Sequence, residues 1–460
     1  MHLDKLNEAI YNRYILPTRR KRTDRLGLEF ELPIVNIKKE PVNFDIVHAM
    51  TDRFVERFAF TEIKRDDDGF IYMAEEPGTG DNISFDCSYN TLEFSFGTET
   101  DFAVLSDRFA TYYNYVQADL MKEDHMLTGM GINPGYAYNK NIPVVSERYR
   151  MLFHHLCSYK NYENEILFHD HPNFGLFSCA SQIQLDVEEE RLPQVLNTFT
   201  RLEPLKALLF ANSIWTEDHN EFLCSRDYFW RNSLHGLNRH NVDMYGLEFE
   251  SVDEIIWYIR SMSLYCVQRD GRYINFSPIR LADYFAADSL TGELFDKGAY
   301  RKVQFSPDYN DLTDLRSFKF DDLTFRGTVE FRSVCEQPVK EIMASGAFHT
   351  GLMENLDLLT ECLENDHVIY HKGYNASELR RQFVRAGLPE IFDKGQISDL
   401  LIKILDMSAE GLKKRGRGEE KLLEPLYGRA ESLMSPAAQI VEGMKNGKSL
   451  EDFILEYGTL

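Results

Sequence analysis

The chain has 460 residues, of which 43% are hydrophobic and 13% aromatic, and its formal net charge is -23. This composition supplies a large buried core and excludes an intrinsically disordered protein. The acidic balance argues against strongly anionic partners, namely nucleic acids and anionic membrane surfaces.

The cysteines and the N-terminus indicate the cellular compartment. The seven cysteines are scattered and none forms a CxxC pair, which is typical of reduced thiols in a cytosolic protein. Residues 1–6 are polar and lack the apolar core of a signal peptide. No segment approaches the apolar length of a membrane span. We therefore expect a cytoplasmic protein.

The first part of the chain is predicted to alternate helices with strands. Apolar periodicity and turn residues indicate a helix at 4–16, an acidic strand at 26–32, a helix at 44–58, a hairpin with a loop at 64–82, a second acidic strand at 90–95 and a long helix at 101–123. This order of strands and long helices favours an α+β architecture.

The middle of the chain adds loops and a further strand. Residues 129–135 hold three glycines and a proline, so we expect a loop there. Residues 178–187 alternate polar and apolar side chains and predict a strand, which a helix at 189–211 follows. The region 288–322 is predicted to be loop-like. We expect 129–135 and 288–322 to cover the site.

After Pro338 the pattern becomes helical. Residues 340–365 and 396–456 carry helical periodicity, and Ser435 with Pro436 fits an N-cap and first turn. We predict a catalytic α+β domain at 1–338 and an α-helical C-terminal region at 339–460 packed on it. The fold class is a curved, mostly antiparallel sheet with helices on its apolar outer face and an open side for the site.

Three separate strands share one pattern, in which carboxylates alternate with apolar residues. Glu29 and Glu31 point to one face of the first strand because side chains alternate along a strand, and Glu93 and Glu330 occupy similar positions in the other two. Several carboxylates on one sheet face are costly without a cation among them. A hard divalent cation with oxygen ligands, such as Mg²⁺, meets that need.

Each carboxylate also has a plain structural interpretation. Glu29 and Glu31 alone are typical of a solvent-facing strand. Glu330 between Arg326 and Arg332 fits a surface salt-bridge strip, which contributes little to stability. The same pattern nevertheless occurs at three distant places, each with apolar residues that require burial of the opposite face. This repetition favours a metal site.

Other polar residues leave two interpretations open. Gln182 and Gln184 share a strand face, where they fit either half-buried residues that satisfy a neighbour or contacts to a ligand. Arg226 fits either a tight turn or a substrate contact. Asn133 lies in the glycine-rich loop, which either connects two elements or brings backbone close to a ligand.

The chain contains six stretches in a fixed order: residues 27–31, 90–95, 180–186, 209–213, 326–332 and 409–437. In this order they resemble the glutamate–cysteine ligase family of carboxylate–amine ligases, relatives of glutamine synthetase. The resemblance implies a glutamine synthetase-like sheet with an open, funnel-shaped site. It also implies an ATP-dependent ligase that forms γ-glutamylcysteine from L-glutamate and L-cysteine, a reaction of glutathione biosynthesis.

The resemblance also implies roles for individual residues. Two or three Mg²⁺ ions that bridge the phosphates of ATP would be held by Glu29, Glu31, Glu93 and Glu330. Arg332, together with Arg326, would neutralise the transferred phosphoryl group. The amino-acid substrates or a metal would be contacted by Gln182, Gln184, Asn133 and Arg226.

The chain departs from the family after Asn212, where Ile214-Trp215 replaces a proline-containing continuation and residues 233–239 align poorly. This segment would shape the acceptor pocket. Two alternatives therefore stay open: a ligase of the same chemistry with another amine or amino-acid acceptor, and a non-catalytic nucleotide-binding relative that acts in regulation.

Overall fold

Antiparallel sheets and helices make up residues 2–162, 168–218 and 220–460, which the computed structural model describes. The strands are β1 (Leu26–Asn36), β2 (Thr61–Arg65), β3 (Ile71–Glu75), β4 (Asn82–Ser84), β5 (Thr91–Ser95), β6 (His125–Leu127), β7 (Ser181–Asp186), β8 (Val242–Asp243), β9 (Ser263–Arg269), β10 (Arg272–Arg280), β11 (Leu290–Asp296), β12 (Ala299–Phe305), β13 (Phe318–Lys319), β14 (Asp321–Leu323) and β15 (Thr328–Phe331). The mixture of helices with antiparallel sheets confirms the α+β class.

Helices occur in each region where the sequence predicts them, and further helices lie between those regions. They are α1 (His2–Ile10), α2 (Phe44–Phe58), α3 (Phe102–Leu120), α4 (Glu147–Cys157), α5 (Leu192–Phe210), α6 (Ser225–Arg231), α7 (Val252–Arg260), α8 (Leu281–Tyr284), α9 (Ala344–Glu354), α10 (Leu356–Glu364), α11 (Ala376–Phe383), α12 (Lys394–Arg415), α13 (Glu424–Ser432), α14 (Pro436–Lys445) and α15 (Leu450–Tyr457). Among the described residues, no helix is both long and apolar enough to cross a membrane.

The larger sheet has the strand order β14-β15-β7-β1-β5-β4-β3-β2, and β6 also pairs with β1. All of these pairings are antiparallel. β1 is central, with β5 on one side and β7 on the other. The acidic strands predicted from alternation are β1, β5 and β15, so their existence is confirmed.

One face of β1 packs against helices and leaves the other face for polar side chains. Leu28 and Phe30 are fully buried, and the Phe30 ring packs edge to face against Phe109 of α3, with the ring centroids 5.4 Å apart. A Cβ on Gly346 of α9 would lie 3.0 Å from the Leu28 side chain, so the glycine permits a close approach of α9. Burial of this face forces the two glutamates of β1 to the opposite one.

The C-terminal helices share the core of the sheet. Leu352 of α9 and Leu401 of α12 belong to the same hydrophobic cluster as Phe30 and Phe331. The predicted start of α14 is confirmed, because the Ser435 side chain accepts a hydrogen bond from the Ala438 N–H. The helical region after Pro338 is therefore packed on the strands, while a domain boundary there stays a prediction.

The prediction of a loop at 288–322 is wrong for most of the first half of this range. β11 and β12 form a hairpin there that joins β9 and β10 in a second antiparallel sheet, in the order β12-β11-β10-β9. β12 exposes most of its residues on both faces, so its sequence lacks the alternation that marks a half-buried strand. Residues 313–319 do line the cavity described below.

The glycine-rich loop at 129–135 is a buried connection, which does not fit the expected cover. A Cβ on Gly129 would lie 2.1 Å from the Gln337 carbonyl oxygen, and one on Gly131 would lie 2.6 Å from the Cys335 Cβ. The backbone N–H of Gly131 donates to the Asn212 carbonyl at 2.8 Å. The glycines therefore serve close backbone packing, because no side chain fits at these positions.

Candidate active site

Antiparallel pairing brings the acidic strands to one sheet face. Glu31 on β1 lies opposite Glu93 on β5, and β7 separates β1 from β15. Glu330 on β15 lies opposite Gln184 of β7. Glu29 lies two residues before Glu31 and shares its face, so the four predicted glutamates gather around the centre of the sheet.

A first acidic group forms around Glu31. One carboxylate oxygen each from Glu31, Asp86 and Glu93 lies within 4.8 Å of the others. The Glu31 carboxylate accepts hydrogen bonds from the Ala180 N–H and from the Gln182 amide, both at 2.7 Å. Asp86 comes from the loop between β4 and β5. These bonds fix the Glu31 carboxylate beside its acidic neighbours.

A second acidic group forms around Glu330. The Gln184 amide donates to Glu29 at 3.0 Å and to Glu330 at 2.8 Å, which ties the two carboxylates together. Arg332 forms an ion pair with Glu330. Asp322 of β14 lies opposite Glu330 in the register, so this end of the face combines three carboxylates with one guanidinium.

Ionisation of these carboxyl groups costs free energy in the folded protein. Burial raises the pKa of Glu29, Glu31 and Glu93 to about 8 each, and neighbouring carboxylates add to the rise. The neighbours are Glu330 and Glu93 for Glu29, Asp86 for Glu31, and Asp86 and Glu31 for Glu93. A bound cation would relieve this repulsion.

The donor atoms of this face fit a hard divalent cation. The ligands on offer are carboxylate oxygens, and the buried Gln182 Oε1 adds an amide oxygen with no hydrogen-bond partner among the described residues. Oxygen-only donor sets suit Mg²⁺ and similar ions rather than thiolate-seeking metals. The residues therefore fit the magnesium that the sequence predicts.

We expect the metal-free protein to lose thermal stability as the pH rises. Glu29, Glu31 and Glu93 have a pKa near 8 in the fold against an ordinary 4.5, so between these values the native state binds more protons than the unfolded chain. The favourable contribution of these three groups to the free energy of unfolding is complete below about pH 4.5 and is lost by about pH 8. Scanning calorimetry should show a falling melting temperature over this window.

Added Mg²⁺ should raise the melting temperature more at about pH 8 than at about pH 5.5, since protons compete with the metal for the same oxygens. Glu31→Gln should reduce the Mg²⁺-dependent rise, and Glu378→Gln, which alters a helix cap elsewhere, should not. An equal Mg²⁺ effect at both pH values would contradict the prediction.

A cavity of about 330 Å³ opens over the acidic face. Its lining combines cationic side chains, among them Arg148, Arg226, Arg316 and Arg332, with aromatic side chains that include Trp230 and Phe318. Glu31, Asp86 and Glu330 also line it. The cavity is therefore a polar chamber with negative and positive walls, suited to substrates that bear both charges.

Three of these arginines form no ion pair with a carboxylate of the described residues. Among the described residues, no carboxylate oxygen lies within 4.0 Å of the guanidinium of Arg148, Arg226 or Arg316. Arg226 is buried at the start of α6; its Nη1 donates to the Val334 carbonyl at 3.3 Å and its Nε has no partner. Unpaired guanidiniums in a cavity are typical of sites for carboxylates or phosphates.

The other predicted residues differ in position. Arg326 lines the cavity mouth, where it is exposed and donates to the Gln184 side chain at 3.4 Å. Asn133 is fully buried and does not line the cavity; its amide donates to the carbonyls of Ile34 at 2.8 Å and Asn90 at 3.0 Å. Its hydrogen-bonding capacity is spent on anchoring the loop, which leaves none for a substrate.

Sequence reasoning missed four residues that line the cavity: Asp86, Arg148, Arg316 and Asp322. Asp86 follows β4 in a loop, and Arg148 sits in the first turn of α4, so neither belongs to an alternating strand. Asp322 does belong to a strand, but β14 has only three residues, too few to display a period. These four residues are recognised as a group only in the folded structure, where they line the same cavity.

Comparisons with known proteins point to one family. A family model described as Glutamate-cysteine ligase family 2 matches residues 25–444. The chloroplastic glutamate–cysteine ligase of Brassica juncea is 24% identical over 280 residues, 59% of this chain and 51% of that protein. The chloroplastic glutamate–cysteine ligase A of Oryza sativa subsp. indica is 24% identical over 324 residues, 68% of this chain and 60% of that protein.

The chain thus spans between half and three-fifths of the length of these relatives. Among solved structures, glutamate–cysteine ligase from Francisella tularensis in complex with AMP aligns with a TM-score of 0.48 and 12% identity, over 95% of this chain and 88% of that one.

Proposed function

The chain belongs to glutamate–cysteine ligase family 2, and on this premise we propose that it is an ATP-dependent carboxylate–amine ligase. The donor would be the γ-carboxylate of L-glutamate, and L-cysteine is the first acceptor to test. The observation that carries the proposal is the cavity itself, which joins buried carboxylates to unpaired guanidiniums. A site for these substrates needs cationic side chains for the carboxylate and the nucleotide phosphates, and anionic side chains for metal ions and the amine.

The nucleotide phosphates would lie at the Glu330 end of the cavity. Glu29, Glu31, Glu93 and Glu330 would hold two or three Mg²⁺ ions, and Asp86 is added to this set by its place beside Glu31. When bound, Mg²⁺ neutralises phosphate charge and aligns the terminal phosphoryl group. Gln184 keeps Glu29 and Glu330 together through its two hydrogen bonds.

The amino-acid substrates would lie at the end of the cavity that holds Arg148 and Arg226. Within the part of the chain that the structure describes, these two guanidiniums form no ion pair with a carboxylate, and each can bind a substrate carboxylate. Arg226 has Glu31 among its electrostatic neighbours, and Arg148 has Asp86. A substrate held here therefore stays beside the acidic face. The partnerless Gln182 oxygen can accept a hydrogen bond from a substrate ammonium group.

The reaction would proceed in two transfers. An oxygen of the γ-carboxylate attacks the terminal phosphorus of ATP, the bond to the bridging oxygen breaks, and ADP leaves with the bond electrons. The amine nitrogen of the acceptor, having lost a proton, then attacks the acyl carbon, and phosphate leaves. Arg332, close to Glu330 at the cavity wall, would stabilise the charge on the transferred phosphoryl group.

The acyl phosphate needs protection from water. The cavity lining includes Trp230 and residues 315–320, whose side chains would limit the access of water. The lining also keeps the second substrate next to the first. This arrangement supports transfer of the acyl group to the amine over hydrolysis of the acyl phosphate.

The test is phosphate release from ATP and Mg²⁺ with L-glutamate, in the presence and absence of L-cysteine and a panel of other amines, with mass analysis of products. Cysteine-dependent release with a γ-glutamylcysteine mass would establish the proposal. Release with a different amine would keep the chemistry and change the acceptor. No release with any acceptor, despite ATP binding, would refute catalysis and favour a regulatory nucleotide-binding protein.

A further inference from the structure

Arg316 lines the cavity that opens over the acidic face. It belongs to the segment 313–319, which follows the second sheet in the chain and lines the cavity. Its Nη2 donates to the Tyr273 hydroxyl of β10 at 3.1 Å, and its buried Nε has no hydrogen-bond partner within residues 2–162, 168–218 and 220–460. The guanidinium is thus held in place by a neutral phenol, and no carboxylate of the described part of the chain forms an ion pair with it.

The charged surroundings of Arg316 leave room for an anion. Arg148 and Lys64 are near enough to repel it, and burial followed by these two guanidiniums lowers the pKa of Lys64. Asp314 is an electrostatic neighbour of Arg316, but it lies beyond 4.0 Å and accepts a hydrogen bond from the Gln268 N–H at 2.8 Å. Three cations without a bound anion are unfavourable, and a carboxylate among them would relieve the repulsion.

The two amino-acid substrates bring two α-carboxylates into one cavity. Arg226 is held beside β15, where its Nη1 donates to the Val334 carbonyl at 3.3 Å, and Glu31 lines the same cavity, so Arg226 suits the donor, whose γ-carboxylate must reach the acidic face. Arg316 is held instead by the Tyr273 hydroxyl of β10, in the second sheet. The two guanidiniums therefore enter the cavity from different sheets, and Arg316 is left for a second substrate.

We propose that Arg316 is the specificity-determining residue that binds the carboxylate of the acceptor amino acid, so that the enzyme selects acceptors with a free carboxylate over simple amines. The inference rests on the proposed ligase function and deepens it. Nothing in the ligation step itself requires the acceptor carboxylate, since only the amine nitrogen forms the new bond. Selection would come from charge pairing at Arg316.

The test compares L-cysteine with cysteamine, which has the same amine and thiol but lacks the carboxylate. With saturating ATP, Mg²⁺ and L-glutamate, the natural sequence should use L-cysteine about 100-fold more efficiently in kcat/KM. Arg316→Gln should lower kcat/KM for L-cysteine about 30-fold and leave that for cysteamine within about twofold. Arg316→Lys should fall between, because the charge remains and the fork geometry is lost.

The matched control is Arg280→Gln, which removes an exposed guanidinium that pairs with Asp283 at the end of β10. It should leave both acceptors unchanged. An equal loss for both acceptors in Arg316→Gln, or an increased KM for L-glutamate with no change in acceptor preference, would overturn the proposal. The first result would assign Arg316 to packing and the second to the donor.

A binding measurement separates this inference from the ligase function. Calorimetric titration of L-cysteine and cysteamine into the protein with L-glutamate and a non-hydrolysable ATP analogue needs no turnover. Tighter binding of L-cysteine that disappears in Arg316→Gln supports the inference even where the assay detects no product. Equal affinity for the two ligands, or no effect of the substitution, overturns it, whereas absent turnover alone refutes the proposed function.

Discussion

Glu330→Gln is expected to reduce ATP-dependent phosphate release about a thousandfold or more. The substitution keeps the shape of the side chain and removes a carboxylate from the end of the cavity where the phosphates would lie. It also removes the ion-pair partner of Arg332, whose guanidinium then loses its fixed position. The measurement is phosphate release at saturating ATP, L-glutamate and acceptor.

Although Glu330→Gln should lose activity, its metal-free form should not lose stability. Glu330 follows burial as the largest contributor to the raised pKa of Glu29, so its removal relieves repulsion in the metal-free protein. We expect an unchanged or higher melting temperature without Mg²⁺ at about pH 8. Glu354→Gln, which breaks an ion pair with Arg22 away from the cavity, is the matched control and should keep full turnover. Turnover of Glu330→Gln within tenfold of the natural sequence would remove Glu330 from the site.

Arg332→Ala is expected to lower kcat by two to four orders of magnitude, with a smaller effect on the KM for ATP. A guanidinium that stabilises charge developing on the transferred phosphoryl group acts mainly in the transition state, so its loss appears in kcat. The variant also leaves Glu330 and Asp322 without a nearby compensating charge, because both are electrostatic neighbours of Arg332. Its metal-free melting temperature should therefore fall.

The design of this test rests on two further variants. Arg332→Lys keeps a charge and should recover part of the lost kcat, since a point charge replaces the planar fork. Arg381→Ala removes an exposed guanidinium that contacts Ser377 on α11 and should leave kcat unchanged. A loss in Arg332→Ala confined to KM would show that the guanidinium binds the ground state of ATP and does not act on the transfer step.

Comparison of Glu330→Gln with Arg332→Ala also separates effects on protein stability from effects on turnover. Glu330→Gln removes negative charge and Arg332→Ala removes positive charge from neighbouring positions on β15, so they should shift metal-free stability in opposite directions while both abolish turnover. Double replacement should restore stability toward that of the natural protein, because both members of a buried pair are then removed. It should not restore turnover.

Local sequence patterns determined the strands that carry the predicted glutamates. Alternation in β1 and β5 indicates which side chains share a face, because the period of a strand is fixed by its backbone geometry. The predicted helix at 44–58 coincides with α2, where Asn43 caps the first turn by accepting from the Asp45 N–H. These features depend on neighbours within a few residues, which the sequence displays directly.

The same reasoning fails where a segment's role depends on distant contacts. Asn133 looks available for a ligand in sequence, but the carbonyls of Ile34 and Asn90 occupy its amide in the fold. The glycines at 129–135 look like a flexible cover, but they admit the backbone near Gln337. β11 and β12 look like a loop although they pair with each other, because most residues of β12 are exposed and the strand shows no alternation of polar and apolar residues.

By itself, the sequence determined the α+β class, the acidic strands and the family to which the chain belongs, since these reside in local periodicity and in the order of motifs. Only the tertiary structure added Asp86 to Glu31 and Glu93, and Arg316 to the lining of the same cavity. Both side chains come from loops, whose sequences have no periodicity that predicts which way a side chain points. Where such a side chain points is decided by long-range packing, and long-range packing alone makes the cavity.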